Sequence, residues 1–349
     1  MNIFSKIEKS LENKLPFVVY RKPNSITLNG WFQKNDKLHI STNYTESGFI
    51  FAPFDDKNIA VLLPEEDVIF EQEEINIVTN FIKKNAISID YSSEKKHVEL
   101  VKKGIKAIES GLFKKVILSR KEKVSLSNFN AIAVFKNLLA NYHTAFTYIW
   151  FHPKVGMWLG ATPETLVKIK DDNFKTMSLA GTQVFNGTTN VTWQPKEIEE
   201  QQFVTDYITD KLSKICNHLE KGTVQTSKAG NLLHLKTLIS GKITTKNATL
   251  IKKLHPTPAV CGLPLEASKE FILKNEDYDR GYYTGFLGEL NLKVENKNTS
   301  ELFVNLRCME IKNNSAILFI GGGITKESNP KSEWQETVAK TSTMKNVLS

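Results

Sequence analysis

A mixed α/β fold of the α+β kind, built mainly on antiparallel strands, follows from how apolar residues recur along the chain. From residue 1 to about 90, short apolar runs (PFVVYRKP, SITLNGWF, KLHIST, GFIFAPF, IAVLLP) alternate with turn residues, the pattern of short antiparallel strands. Beyond them, segments with apolar residues at helical spacing alternate with further strand-like runs. With 349 residues, 40% hydrophobic and 24% charged, the chain can bury a large core in one large domain or two ordinary ones. No apolar run is long enough to cross a membrane. The start, MNIFSKIEKSLENKL, reads as a short amphipathic helix on Ile3, Phe4, Ile7 and Leu11 rather than a signal peptide, so a cytoplasmic protein with no membrane partner is expected. The cysteines, Cys216, Cys261 and Cys308, lie far apart and form no CxxC pair, which gives no zinc or redox motif. The formal charge is +8, yet the lysines are scattered and no basic block is interleaved with aromatics. Nucleic acid is therefore set aside as a partner, and the lysine surplus is read as drawing a small anion into a cleft. No exposed heptad or repeat appears, which favours a monomer.

In chain order, the first segment carries no chemical motif and reads as scaffold. From Glu94 to Ser110, Val98, Val101, Ile105 and Ile108 recur at helical spacing, and Gly111 is placed to end the helix. In the strand KKVILSRKEKV, Lys115, Ile117 and Ser119 share one side and Val116, Leu118 and Arg120 the other. A lysine opening a strand that is apolar on both faces would have its pKa lowered by desolvation, towards use as a base. Read alone, a lysine snorkelling to the sheet edge is the commoner case. A second helix, from about Phe129 to Ala140, leads to the strand runs AFTYIWF and VGMWLGA. The turn Gly160-Ala161-Thr162-Pro163-Glu164 then ends in a carboxylate, which a dry pocket would keep protonated as a general acid requires. The next strand, FKTMSLAGTQ, ends in Ala180-Gly181-Thr182, where small residues admit close backbone contact.

Pro195 opens a long helix, PKEIEEQQFVTDYITDKLSKICNHLEKG, with a buried stripe of Val204, Ile208, Leu212, Ile215 and Leu219. Projected back one turn, that stripe lands on Glu200, with Glu197 beside it. Near the C-terminus, the run Gly321-Gly322-Gly323 precedes a helix capped by Ser328 or Asn329, with Pro330 in its first position. Glu333, Glu336 and Lys340 share one face of that helix, which continues into Met344 and Val347. Both helices thus carry a Glu-x-x-Glu pair in line with a buried stripe, and four carboxylates beside a glycine run would suit a divalent cation holding an anion. The plainer reading of each pair is a partner for the helix dipole. His234, in the apolar run LLHL, is by itself an ordinary core histidine. Thr257 lies in the rigid LHPTPA turn, Tyr283 in the glycine-spaced strand GYYTGFLG, and Arg307 inside the strand run LFVNLRCMEI, where it needs an anionic partner.

The segments KVILSR, GATPETL, SLAGT, KEIEEQ, LHL, LHPTPAVCGLP, YYTGFLG, LFVNLR, IGGGIT and SEWQETVAK, in this order, together resemble the chorismate-utilising enzymes, most of all their isochorismate synthase branch. The resemblance runs from about Glu94 to the C-terminus. It implies one large α/β domain of mostly antiparallel sheets packed together with helices outside, residues 1–93 being a strand-rich part of that fold and 94–349 the chorismate-binding catalytic region. It also implies an isomerase that adds water at C2 of chorismate and removes the C4 hydroxyl. Lys115 would be the base and Glu164 the acid. Glu200 and Glu336 would ligate Mg2+, with Glu197 and Glu333 close by. Lys340 would hold the ring carboxylate, and Tyr283, Arg307 and the amides of Gly321, Gly322 and Gly323 the enolpyruvyl carboxylate. Gly181, Thr182 and His234 would line the ring, and Thr257 would shape the pocket floor. Lys115 together with Ala180 points to water as nucleophile rather than an amine. Salicylate synthases share that pair but differ in their counterpart of LHPTPAVCGLP. A menaquinone pathway is the weak preference over a siderophore one, and Gln201 departs from the histidine that many relatives carry there.

Overall fold

The structure, a computed structural model, describes residues 2–75, 91–230 and 232–348. Its helices among these residues are α1 (Ile3–Glu12), α2 (Tyr91–Glu109), α3 (Ala131–Asn141), α4 (Pro195–Ser213), α5 (Asn247–Leu254), α6 (Leu265–Asn275) and α7 (Pro330–Lys345). The strands form two large antiparallel sheets. The nine-stranded sheet has the order Gly262–Leu263, Lys115–Ser125, Ser315–Ile324, Cys308–Lys312, Gly156–Thr162, Phe146–His152, Phe17–Arg21, Thr27–Gln33, Val68–Glu74. The ten-stranded sheet runs Cys216–Lys221, Leu232–Ile243, Asn173–Val184, Thr165–Lys170, Lys297–Val304, Phe286–Val294, Gly48–Ala52, Ala60–Pro64, His39–Ser41, with Gln225–Ala229 added on Leu232–Ile243.

Strand alternation builds the layers. Val18 and Tyr20 point between the sheets, into an aromatic core with Phe49, Phe51, Tyr148, Trp150, Leu287 and Phe303. Phe17 and Val19, one residue out of phase, point to the outer face and meet Ile3 and Ile7 of α1 and Phe135 and Leu138 of α3. The outer face of the other sheet, with Ile50, Val167, Ile169 and Ile239, is covered by Val204, Ile208 and Leu212 of α4 and Leu250, Ile251 and Leu254 of α5. Burying Phe or Leu side chains of this kind contributes roughly 1.5–3 kcal/mol each. The N-terminal strands are woven into both sheets: Phe17–Arg21 pairs with Phe146–His152, and Gly48–Ala52 with Phe286–Val294.

Three elements depart from their sequence-based expectations. The helix opened by Pro195 stops at Ser213, and Cys216–Lys221, including Leu219, is an edge strand paired with Leu232–Ile243. The Gly281–Gly285 segment turns instead of extending, because Gly281 and Thr284 take left-handed backbone (φ 53° and 59°), and the strand starts at Phe286. Arg307 lies outside any strand, between Lys297–Val304 of one sheet and Cys308–Lys312 of the other, also with a left-handed φ of 47°. That crossover is matched by Pro163-Glu164, between Gly156–Thr162 and Thr165–Lys170. The two crossovers are hydrogen-bonded: Ala161 N donates to Arg307 O (3.1 Å), Val304 N to Glu164 O (3.0 Å) and Thr162 Oγ1 to Val304 O (2.6 Å).

Candidate active site

A cavity of about 1050 Å³, open solvent at its mouth included, lies where both crossovers, both sheets, α4 and α7 meet. The crossovers supply Glu164 and Arg307, and the strand Asn173–Val184 supplies Ala180, Gly181 and Thr182. Glu197, Glu200, His234, Tyr283, Gly321, Gly322, Gly323, Glu336 and Lys340 also line it. Of the remaining candidates, Lys115 and Glu333 stand in a second row against lining residues, and Thr257 is buried behind Ala259 and Val260, which form that part of the wall. Thr257 holds the turn through its carbonyl, which accepts from Val260 N and Cys261 N (3.1 and 3.0 Å).

Lys115 is fully buried, with no path to the sheet edge, and its Nζ pairs with Glu200 Oε1 at 3.0 Å. Glu164 is 4% exposed, and burial pushes its carboxyl up to about 8, against the opposing pull of the Lys115 and Arg307 charges. Arg307 donates from Nη1 to Ala229 O (2.8 Å) and from Nη2 to His234 Nε2 (2.9 Å). Burial lowers its pKa to about 10, and it forms no ion pair with a described residue. A guanidinium so placed is ready for an anion from outside the chain. His234 Nδ1 lies 2.9 Å from Gly181 O, so it carries the proton and Nε2 is the acceptor facing Arg307. Burial and the charges of Arg307 and Lys340 depress the imidazole to about 3, which keeps it neutral.

The glycine run belongs to the strand Ser315–Ile324, with Gly321, Gly322 and Gly323 opposite Ser119, Leu118 and Ile117. Neighbours crowd it at Gly321 and Gly323, while Gly322 meets side chains only at ordinary contact distance. A Cβ on Gly323 would fall inside contact distance of Glu200 Oε1 and 3.2 Å from Lys115 Cε, and one on Gly322 would meet Glu333 Oε2 at 3.5 Å and Glu336 Oε1 at 3.7 Å. Gly181 has φ +71° and lies under α4, where a Cβ would meet Glu197 O at 3.1 Å. Asn329 caps α7, accepting from Lys331 N and Ser332 N, and so fixes where Glu333 and Glu336 begin to project.

The four glutamates do not converge on one point, and among the described residues no group of three ligating side chains is pre-assembled. Glu197 turns back to its own helix start, accepting from Gln194 N at 2.8 Å in a capping box. Each of the other three faces a lysine: Glu200 with Lys115 at 3.0 Å, Glu336 with Lys340 at 2.6 Å, and Glu333 with Lys196 at 2.6 Å. Lys340 also donates to Gly321 O at 3.0 Å. Lys196 was not anticipated from sequence, although a lysine in the first turn of a helix, against the dipole, was the available signal. Gln201 turns away from the cavity and donates to Ser178, Thr205 and Thr237 hydroxyls at 2.7–3.0 Å, locking α4 onto the sheet.

The family model for chorismate binding enzymes matches residues 51–349. The chain belongs to the chorismate-binding enzyme family. It is 27% identical over 310 residues to the vibriobactin-specific isochorismate synthase of Vibrio cholerae, covering 85% of this chain and 78% of that one. With the isochorismate synthase EntC of Escherichia coli it shares 30% identity over 246 residues, 67% of this chain and 62% of the relative. Against the isochorismate synthase DhbC of Bacillus subtilis, the matched part spans about half of either chain. The fold matches a 2,3-dihydroxybenzoate-specific isochorismate synthase structure from Bacillus anthracis, with TM-score 0.80 and 23% identity over 98% of this chain and 99% of that one. It also matches the menaquinone-specific isochorismate synthase of E. coli, with TM-score 0.79 and 20% identity over 96% and 89%. At those identities the two structures speak for the shared fold. No helix among the described residues is long and apolar enough to cross a membrane.

Proposed function

We propose that the chain is an isochorismate synthase, converting chorismate to isochorismate in this cavity with Mg2+ bound. The observation that carries the reading is a fully buried lysine and a buried carboxyl protonated up to about pH 8 on the border of one cavity. In this scheme Lys115 Nζ takes a proton from water as its oxygen bonds to C2. The ring double bonds shift, the C4–O bond breaks, and Glu164 gives its proton to the departing hydroxyl. Water enters and water leaves, so the product has the mass of the substrate. Each proton-transfer group is worth on the order of 10² to 10⁴ in rate.

Chorismate is a dianion. Arg307, oriented by the neutral His234 acceptor, would take one carboxylate together with Tyr283, whose phenol burial keeps protonated. Lys340, at the glycine strand, would take part in holding the other. The residues fit a hard divalent cation: Glu200, Glu336 and Glu333 present only oxygen donors, and Glu333 Oε2 and Glu336 Oε1 both lie within 4 Å of where a Cβ on Gly322 would stand. Bound there, Mg2+ would neutralise these acids and the ring carboxylate. Glu197, committed to its cap, is the least suited of the four.

The test is to incubate the purified protein with chorismate, with magnesium or with EDTA, and to identify products by chromatography and mass. Isochorismate formed only with magnesium is expected. Salicylate plus pyruvate would move the chain to the salicylate synthase branch, and no conversion would overturn the reading. For the pathway we propose menaquinone supply. Deleting the gene should then abolish menaquinone, and loss of a catechol siderophore instead would reassign it.

A further inference from the structure

Lys196 is out of place by local rules. It follows Pro195 in the first turn of α4, where the helix dipole disfavours a cation, yet its ammonium pairs with Glu333 Oε1 at 2.6 Å. Glu333 itself is 3% exposed. The pairing reaches from α4 to α7 across the mouth of the carboxylate group. Burial alone would depress Lys196, and the carboxylates of Glu333, Glu200 and Glu336 together more than offset it, so it is held above its ordinary pKa. Its ion pair is with Glu333, whereas Lys115 pairs with Glu200 and Lys340 with Glu336. Its side chain is 29% exposed, against 0% for Lys115, so it has solvent to swing into.

We propose that Lys196 is the resident cation of Glu333, holding that buried carboxylate from α4 without metal and leaving for solvent when a divalent cation enters. The inference rests on the reading above that Glu200, Glu336 and Glu333 take a divalent cation. Burial and the neighbouring Glu336 charge both disfavour an ionised Glu333 unless a cation compensates. An ammonium supplies that compensation without presenting a filled coordination shell, so the cleft stays assembled. The cost is affinity: the metal binds only the fraction of molecules whose lysine has left. Lys196 would thus tune the magnesium concentration at which the enzyme switches on.

The experiment measures Mn2+ binding by electron paramagnetic resonance, and Mg2+ binding by calorimetry, without substrate, for the wild type, Lys196→Met and Lys196→Arg. Lys196→Met is expected to bind about tenfold more tightly or better. Its metal-free melting temperature should drop and its Mg2+-induced rise should exceed that of the wild type. Lys196→Arg, which keeps the charge, should bind no more tightly than the wild type and controls for folding. Unchanged or weaker binding by Lys196→Met, with a binding-competent wild type, would overturn the proposal and leave the metal reading intact; Lys196 would then be only a tie between α4 and α7. If the wild type and both variants bind neither ion, both the proposal and the metal reading fall.

Discussion

With its carboxyl pushed up to about 8 by burial, Glu164 keeps its proton at neutral pH, and the same shift couples it to stability. The native state holds this proton between the ordinary 4.5 and about 8, where the unfolded chain has lost it. The group's contribution is therefore fully present below about 4.5 and is lost as pH rises through about 8. Between pH 5 and pH 8, the wild type should lose roughly 2–5 kcal/mol relative to Glu164→Gln, read by urea denaturation at both values. A constant difference would mean that the carboxyl is ionised in the fold. In activity, Glu164→Gln should lose on the order of 10²- to 10⁴-fold in kcat, and wild-type turnover should decline above about pH 8. His234 carries the opposite prediction, because a ring depressed to about 3 does not titrate in the working range. His234→Leu leaves Arg307 Nη2 and Gly181 O without their partner, and a rise in KM of about tenfold is expected, since a buried donor left unpaired costs about 1–3 kcal/mol. His234→Asn, which offers both a donor and an acceptor, should recover part of it. Equal KM values for the two variants would remove the orienting role.

At the scale of elements, the first turns of α4 and α7 and the glycine strand were readable before any coordinates. Pro195, Pro330 and Asn329 mark helix starts by their own backbone chemistry, and the stripe Val204, Ile208, Leu212 fixes which face is buried. What the pattern could not give was where α4 ends: Ile215 and Leu219 keep helical spacing, but pairing with Leu232–Ile243 claims Cys216–Lys221 for a strand. Nor could it orient the acids individually. Glu197 and Glu200 are one turn apart on the same helix, yet one caps the helix and the other meets Lys115, a choice set by the reach of Gln194 N and by the fully buried lysine. The glycine strand gives this scale its test. In Gly323→Ala the added methyl would stand 3.0 Å from Glu200 Cδ and 3.2 Å from Lys115 Cε. Both side chains must shift, while the strand's own pairing is untouched. The expected variant has normal far-ultraviolet circular dichroism and cooperative unfolding, with turnover reduced by about 10²-fold or more, the scale of a misplaced catalytic group. Near-normal turnover would show that this close approach is not needed.

The molecule as a whole places the chemistry where the chain changes sheets, and that is the part of the fold that sequence left hidden. Glu164 stands in a turn between two strand runs and Arg307 inside a run that reads as one strand, and nothing in an apolar alternation says that the chain changes sheets at either place. Arg307 was accordingly expected inside a strand, although its left-handed backbone is what lets the chain cross. The same long-range logic governs the buried pair Glu276–Arg280, whose side chains are each 1% exposed. Arg280 donates to both Glu276 oxygens (2.6 and 2.8 Å), to Ile117 O (2.8 Å) in the Lys115 strand and to Val260 O (2.9 Å) in the cavity wall. Glu276 Oε1 in turn accepts from Ser119 N at 2.7 Å. One ion pair therefore fixes the Lys115 strand against the cavity wall, and the role can be separated from simple stability. Arg280→Met strands a buried carboxylate and should cost about 3–5 kcal/mol. Adding Glu276→Met removes that lone charge, so the double variant should regain much of the stability, as buried pairs replaced by apolar residues often do. It should not regain turnover, because Ile117 O, Val260 O and Ser119 N still lack the partners that hold Lys115 in register with the wall. Denaturation and kcat measured on the two variants decide it: recovery of stability alone supports the brace, and recovery of both would reduce the pair to a replaceable piece of core.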